Sequence, residues 1–340
     1  MTRLTAIDLF CGAGGLTEGL KQAKFRVLGA VDNAPLAVKA YRMNHRSTRL
    51  WDDDIRKVSP IVMAAALDLR AGDLDLLAGC PPCQGFSSLR TKHQRTSVDD
   101  ERNDLVSEFA RFAEALRPRA LMMENVPGLA DDVRLAVLLP RLRRLGYELT
   151  HGVLDAADYG VPQRRRRFVL LGLLGRPVSF AERAARRRTV RQAIARLTPP
   201  ELSGDPLHNH GERRSEEVRR RIADIPPESG LRLLGADRQL PCHRRTNGFY
   251  DVYGRMVWDE PAPTITGGCI NPSKGRFLHP DQPRAITLRE AALLQSFPPG
   301  YRFPLEHGKY RAADLIGNAL PPRFVARHAA HLAASLRTGS

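Results

Sequence analysis

Aromatic side chains make up only 6% of the 340 residues, with two tryptophans among them. That is too few for a surface that stacks single-stranded nucleic acid along its length. Cysteine is also scarce, with five residues, Cys11, Cys80, Cys83, Cys242 and Cys269. An odd count without paired spacing argues against a disulfide framework and for a reducing cytoplasm. Cys80 and Cys83 alone are close, and a zinc site would need two more ligands at short spacing, which are missing. A redox Cys-x-x-Cys opens a helix that lowers a thiol pKa, whereas Gly85 and Ser87 follow here. No apolar run is long enough to span a bilayer. The first residues, Met1-Thr2-Arg3-Leu4-Thr5, lead directly into a strand pattern and show no secretory segment. There is no internal repeat. Acids are outnumbered, 37 against 53 basic residues, giving a net charge of +16. That balance predicts a polyanionic partner, most simply nucleic acid. Because arginine dominates, as GC-rich genomes also favour, composition alone carries modest weight.

The chain is organised around Gly79-Cys80-Pro81-Pro82-Cys83-Gln84-Gly85-Phe86-Ser87. The apolar run Leu74 to Ala78 leads in as a buried strand, and two prolines stop it and stiffen the turn. Cys83 therefore sits on a rigid corner at a strand's C-terminal end, where open α/β sheets bind ligands. A polar stretch from Gln84 to Asp100 follows and reads as a flap. A thiolate there is a strong nucleophile if its pKa is lowered or a base is near. The bland alternative is a buried cysteine.

Thr5 to Phe10 reads as a first strand, Cys11-Gly12-Ala13-Gly14-Gly15 as a glycine-rich turn, and Leu16 to Ala23 as a short helix. Such a turn lets a ligand approach the backbone at a helix N-terminus. The dinucleotide fingerprint is incomplete, since Thr17 stands where a third glycine belongs, so a dehydrogenase is a rival at this point. Asp32 ends a second strand, placed either to accept from ribose hydroxyls or to cap the helix opened by Asn33-Ala34-Pro35. Asp54, in Asp52-Asp53-Asp54-Ile55, is either solvated or an acceptor for an adenine amino group. Ala120 to Met123 is a buried strand ending at Glu124-Asn125. A carboxylate there needs a partner or a task, so an ion pair and a chemical role both stand. Helices are expected from Arg102-Asn103-Asp104-Leu105 to about Leu116 and over Asp132–Leu145, and strands over Tyr147–Leu154 and Phe168–Leu174. Alternation along Arg164 to Arg167 puts Arg165 and Arg167 on one face. Beyond Gly175 the composition turns irregular and basic. The stretch from Arg176 to Arg196 reads as part-helical. Short β-like pieces are expected at Phe249–Tyr253, Met256–Trp258 and Thr264–Thr266. Thr287-Leu288-Arg289-Glu290 is a capping box, and the C-terminal helix spans Arg323 to Leu336.

The ordered set Asp8-Leu9-Phe10-x-Gly12-x-Gly14-Gly15, Pro82-Cys83-Gln84-Gly85-Phe86-Ser87, Glu124-Asn125-Val126, Gln163-Arg164-Arg165-x-Arg167, Arg289-Glu290-Ala291-Ala292 and Gly317-Asn318-Ala319 resembles the DNA C5-cytosine methyltransferase family. The match covers nearly the whole chain and fits bacterial modification enzymes. It is weakest between about Gly175 and Gly248. It implies a Rossmann-like α/β sheet that binds S-adenosylmethionine, with a smaller irregular target-recognition domain. The expected division is 1–175 for catalysis and cofactor, 176–300 for target recognition, and 301–340 folding back onto the first part.

By this resemblance Cys83 adds to cytosine C6, and C5 then attacks the methyl sulfonium. Glu124 holds the N3 and N4 edge, Arg167 contacts O2, and Arg165 supports the covalent site. The C5 proton must leave before the thiol departs, and the sequence names no base for it. The cytosine must also be flipped out of the stack. Gln84, Ser87, Arg90 and Lys92 are then candidate DNA contacts, and Thr264 resembles a threonine that orients the flipped nucleotide's backbone. Phe10, Gly12, Gly14, Asp32, Asp54, Ile55, Pro82, Leu105 and Asn318 match the cofactor pocket. Asp32 departs from the commoner Glu. No metal is implied. Double-stranded DNA is the expected partner, a companion restriction endonuclease is possible, and the enzyme is expected to be a cytoplasmic monomer. Two rivals are an RNA cytosine methyltransferase with the same motifs and a non-catalytic DNA-binding relative. The basic insert between Arg167 and Arg289 favours duplex DNA, because it can read major-groove edges.

Overall fold

The structure, a computed structural model, describes residues 3–82, 105–211, 214–226 and 252–338. The described residues fall into two units. The first takes in residues up to Tyr159, Arg166–Arg183 and the chain from Leu320 onward, and the second takes in Gly160–Arg165 and Ala184–Ala319.

The first unit is built on a seven-stranded sheet in the order β3-β2-β1-β4-β5-β7-β6. Its strands are β1 (Thr5–Leu9), β2 (Arg26–Asp32), β3 (Arg49–Asp52), β4 (Leu76–Gly79), β5 (Ala120–Asn125), β6 (Tyr147–Asp155) and β7 (Arg166–Leu174). The first five pair in parallel, and β7 runs antiparallel to both β5 and β6. Every residue of β4 and β5 is buried, as expected of strands covered on both faces. The core around them is Ile7, Leu9, Leu77, Phe109, Phe112, Leu121, Met123 and Phe168. The order reverses between β1 and β4, so their C-terminal ends open a switch-point crevice where such sheets bind ligands.

Helices α1 (Gly15–Gln22), α2 (Pro35–Asn44), α3 (Pro60–Ala66), α4 (Leu105–Leu116) and α5 (Val133–Arg144) belong to this unit. The C-terminal helix, Pro322–Arg337, packs on α1 through Gly19, where a Cβ would stand 2.4 Å from the Pro322 carbonyl oxygen. Expected boundaries hold to within a few residues. The antiparallel strand is longer than expected, because Arg166 and Arg167 pair with Asp155 and Leu154 of β6.

The second unit has no strand among its described residues. Its helices are α6 (Val190–Ile194), α7 (Glu216–Asp224), α8 (Leu288–Leu294) and α9 (Lys309–Asn318), so the Pro322–Arg337 helix is α10. Two of the expected β-like pieces fail: Met256–Trp258 and Thr264–Thr266 make no ladder, and only isolated bridges, such as Gln163 with Ala262 and Arg255 with Leu278, are formed. Phe249 to Asp251, in the third, lie outside the described residues, and Tyr253 sits at positive φ in a turn. The part-helical reading of Arg176–Arg196 shrinks to α6, which starts at a Thr189–Gln192 capping box. Helix α9 was not expected. Its buried face is Ala312, Ala313, Ile316 and Gly317, and three of these are too small to give a visible hydrophobic period. The expected Thr287–Glu290 capping box is present at α8.

Candidate active site

In the first unit, the candidate residues gather where strands end. β1 runs out into Phe10, which holds a left-handed backbone (φ 61°) that costs a bulky residue about 1–3 kcal/mol. Gly12 (φ 54°) and Gly14 (φ 93°) complete the turn, and Gly14 caps α1. The end of β2 closes the same turn from the side. Asp32 accepts from the Gly12 N–H at 2.8 Å through one oxygen and from the Ala34 N–H at 2.9 Å through the other. The second bond closes a local turn ahead of the following helix, whose N-cap is Ala34, and Asp32 still has lone pairs to offer a ligand. Burial raises its pKa. The helix-cap reading of Asp32 fails, because the helix starts at Pro35 with Ala34 as its N-cap and no side-chain cap bond, while the ribose-accepting reading is compatible with this geometry.

Behind the turn lies a buried polar cluster. The Thr17 hydroxyl donates to Asp8 Oδ2 at 2.6 Å and lies 2.9 Å from the Tyr41 hydroxyl. Asp8 Oδ1 is buried with no partner among the described residues. Desolvation pushes the Asp8 carboxyl up to about 7.

Asp54 is gripped by its neighbour: Arg56 donates to both carboxylate oxygens, at 2.6 to 3.2 Å. These bonds lower its pKa to about 2. Its side chain is therefore engaged by the loop itself. Ile55 is buried in the main core, and Phe10 and Leu105 pack partly exposed against that core. Pro82 is half-buried at the end of the described β4 turn. Asn125 Nδ2 ties that turn to β5 by donating to the Pro81 carbonyl at 3.0 Å.

Glu124 and Arg167 meet across the antiparallel β5–β7 pair. Their register makes them diagonal neighbours on one face. Arg167 Nε stands 2.9 Å from Glu124 Oε1, with side chains 16% and 10% exposed, so neither is sealed from a ligand. The ion pair anticipated as the bland reading exists, and it joins two residues that the resemblance places on one base. Cys80 hydrogen-bonds to the same glutamate. Burial and the Glu124 charge raise its thiol pKa well above the ordinary value, which keeps it neutral and a poor nucleophile. Cys83, Gln84, Ser87, Arg90 and Lys92 lie outside the described residues.

The remaining candidates, Arg165, Thr264 and Asn318, lie in the second unit. Arg165 is 2% exposed and donates to the carbonyls of Ile265 at 2.8 Å and Gly317 at 2.9 Å. It holds backbone segments together. The Thr264 hydroxyl donates to the Arg164 carbonyl at 2.7 Å, and Asn318 is exposed at the end of α9. Sequence reasoning missed Asn125, Asp8 as a buried acid, and Gln295, which is fully buried after α8. A signal existed for Gln295: it stands four residues after the buried Ala291, on the apolar side of a helix. Among the described residues, no group of three or more His, Cys, Asp or Glu side chains is placed to hold a metal ion. No described helix is long and apolar enough to cross a membrane.

A mostly parallel α/β sheet with a glycine turn after β1, an acid at the end of β2 and a proline-stiffened corner after β4 suits a nucleotide-type cofactor. Residues 4–333 match the C-5 cytosine-specific DNA methylase family, and the chain belongs to it. The Type II methylase M.HgiDII of Herpetosiphon aurantiacus is 38% identical over 330 residues, covering 93% of this chain and 91% of that one. The Type II methyltransferase M.AgeI of Thalassovita gelatinovora is 31% identical, covering 94% and 96%. Among solved structures, Entamoeba histolytica methyltransferase EhMeth shares the fold with a TM-score of 0.69 at 15% identity, covering 99% of each chain.

The chain is thus a DNA (cytosine-5)-methyltransferase that uses S-adenosylmethionine. The residues present suit that cofactor. A Cβ at Gly12 would meet nothing within 4 Å, so the turn faces open space beside the Asp32 carboxylate.

Proposed function

We propose that this enzyme methylates C5 of a cytosine within one short sequence of duplex DNA, and that the mark protects its host's DNA from a companion restriction endonuclease. The observation that carries the chemical part is the Glu124–Arg167 pair at the ends of β5 and β7, beside a Cys80 thiol kept neutral. The protective role rests on the two Type II relatives.

Cytosine C5 is too weakly nucleophilic to take a methyl group directly. The Cys83 thiolate forms a bond to C6 and turns the ring into an enamine. Glu124 holds the N3 and N4 edge and stabilises the protonated ring as charge develops. Arg167 faces O2 and orients Glu124 through their ion pair. S-adenosylmethionine supplies an electrophilic methyl group, and Phe10, Gly12, Gly14, Asp32, Asp54, Ile55, Pro82, Leu105 and Asn318 are the residues that would hold it. Loss of the C5 proton then lets the thiolate leave and restores the aromatic ring. The target lies inside the stack, so the base is flipped out at a cost of a few kcal/mol. In this reading 1–175 is the catalytic part, 176–300 reads the DNA, 301–340 completes the fold, and the enzyme acts as a monomer. Gln84, Ser87, Arg90 and Lys92 contact DNA, and Thr264 orients the flipped nucleotide.

The test combines purified protein, unmethylated plasmid and S-adenosylmethionine with base-resolution mapping of 5-methylcytosine. Methylation at one short motif, lost in Cys83→Ser, is expected. Unmarked DNA alongside methylated RNA would overturn the reading in favour of an RNA substrate.

A further inference from the structure

Thr264 and Asn318 are far apart in sequence, yet the second unit ties their backbones to one pair of buried amides. Gln163 and Gln295 are both 0% exposed. Gln163 Nε2 donates to Gln295 Oε1 at 2.8 Å, and Gln163 Oε1 accepts from the Ile265 N–H at 2.7 Å. On the other side, Gln295 Nε2 donates to the Ile316 carbonyl at 2.6 Å and faces those of Gly317 and Ala319 at 3.5 and 3.4 Å. Arg165 closes the ring through the carbonyls of Ile265 and Gly317. Gly317 permits this approach, since a Cβ there would stand 2.1 Å from the Thr266 carbonyl carbon.

The peptide joining Thr264 to Ile265 is therefore gripped by Gln163, and the Ile265 carbonyl beyond it by Arg165. The carbonyls of Gly317 and Ala319, the residues flanking Asn318, face Gln295. Apolar side chains in this space would leave the buried Ile265 N–H and Ile316 carbonyl without these partners. A fully bonded amide pair instead accepts one arrangement of the segments and rejects slipped ones. Helix α8 fixes Gln295 from behind, as its N–H donates to the Ala291 carbonyl at 2.9 Å.

We propose that Gln295 is a positioning residue for methyl transfer: with Gln163 it sets Asn318 for the cofactor and Thr264 for the flipped nucleotide. This rests on the roles given to those two residues under the proposed function. The hub has two arms that can be broken separately. Gln295→Glu keeps an acceptor for Gln163 and turns an oxygen against the Ile316 carbonyl, so it strikes the Asn318 arm. Gln163→Met removes the acceptor for Ile265 and strikes the Thr264 arm.

The experiment measures S-adenosylmethionine binding without DNA, binding of a duplex carrying the mapped motif without cofactor, and Tm, all on the full chain. Q295E is expected to weaken cofactor binding about tenfold, the effect of one buried hydrogen bond, and to leave duplex binding within about twofold. Q163M is expected to do the reverse. In double-mutant cycles, Q295E adds nothing to Asn318→Ala for cofactor, and Q163M adds nothing to Thr264→Ala for duplex. Additive effects, or lowered Tm with both affinities unchanged, overturn the proposal. If N318A and T264A are themselves silent, the roles of those two residues fail and the proposal with them. If those two weaken binding while Q295E and Q163M do not, the proposal alone fails. Should Q295E not fold, Gln295→Met, which buries no unpaired oxygen on that residue, carries the same cycle.

Discussion

The two units satisfy their buried backbone by opposite means. In the first, backbone pairs with backbone along seven strands, and the space between sheet and helices is filled by Leu, Ile, Met and Phe. Polar side chains are concentrated at the strand ends, where Asp32, Asn125, Glu124 and Arg167 stand. In the second, no described strand exists and long polar side chains serve as the ladder. Arg255, 5% exposed, donates to the carbonyls of Ile222, Ile225, His279 and Gln282 at 2.7 to 2.8 Å. Arg289 bonds Asp205 and the Tyr301 carbonyl, and Arg165 and Gln295 act in the same way. A buried carbonyl must be paired with something, and irregular backbone cannot do it alone. The difference teaches that regular strands leave polar side chains free to gather at their ends, whereas irregular backbone draws buried arginines and amides onto its carbonyls.

That contrast can be broken by substitution. Glu124→Gln is expected to slow methyl transfer about 10²- to 10⁴-fold while Tm and duplex binding change little. A protein that unfolds instead would make the Glu124–Arg167 pair structural, like the arginines of the second unit. Arg255→Met should leave its carbonyls unpaired and cost at least about 3 kcal/mol. Hydrogen exchange would show this as faster exchange in the second unit only. Equal loosening of β4 and β5 would mean that the two units do not differ in this way.

Asp8 sharpens the comparison, because it is an acid sealed beneath the first unit's glycine turn beside Thr17, Tyr41, Cys11 and Asp32. Its carboxyl titrates near 7 when folded, against an ordinary 3.8. Between those values the folded chain keeps a proton that the unfolded chain has released. Stability therefore falls as pH rises through that window, by at most about 1.4 kcal/mol per pH unit. Asp8→Asn should flatten the dependence in denaturant unfolding at pH 5 and 7.5, and parallel curves would show that Asp8 is ionised throughout. The smallest effect is expected at the Thr189 capping box, where Thr189→Ala should cost about 1 kcal/mol, read as a shift in denaturant midpoint. No shift would show that α6 is held by packing alone.

Legibility followed the same divide. The first unit's strands are short apolar runs bounded by Gly, Pro and Asp, so β1, β4 and β5 could be read directly, together with the residues at their ends. The second unit's order comes from side chains reaching carbonyls up to 152 residues away, as Arg165 does to Gly317. No local period encodes such bonds. Met256–Trp258 looked like a strand because its residues favour extended backbone, but no strand among the described residues pairs with it. Helix α9 was hidden by its alanines and glycine. The resemblance marks Arg165 as supporting the covalent site, and only the fold shows which backbone it clamps, at Ile265 and Gly317. The Glu124–Arg167 contact needed the β5–β7 register, which sequence alone does not supply.

The central claim is that Cys83, and not the neutral Cys80, attacks cytosine. A duplex carrying the mapped motif with 5-fluorocytosine at the target tests it directly. After methyl transfer, fluorine at C5 cannot depart as a proton does, so the thiol cannot be released. The account predicts a covalent protein–DNA complex that requires S-adenosylmethionine, mapped by peptide mass to Cys83. An adduct on Cys80, or none on a duplex that is methylated when it carries ordinary cytosine, would contradict it.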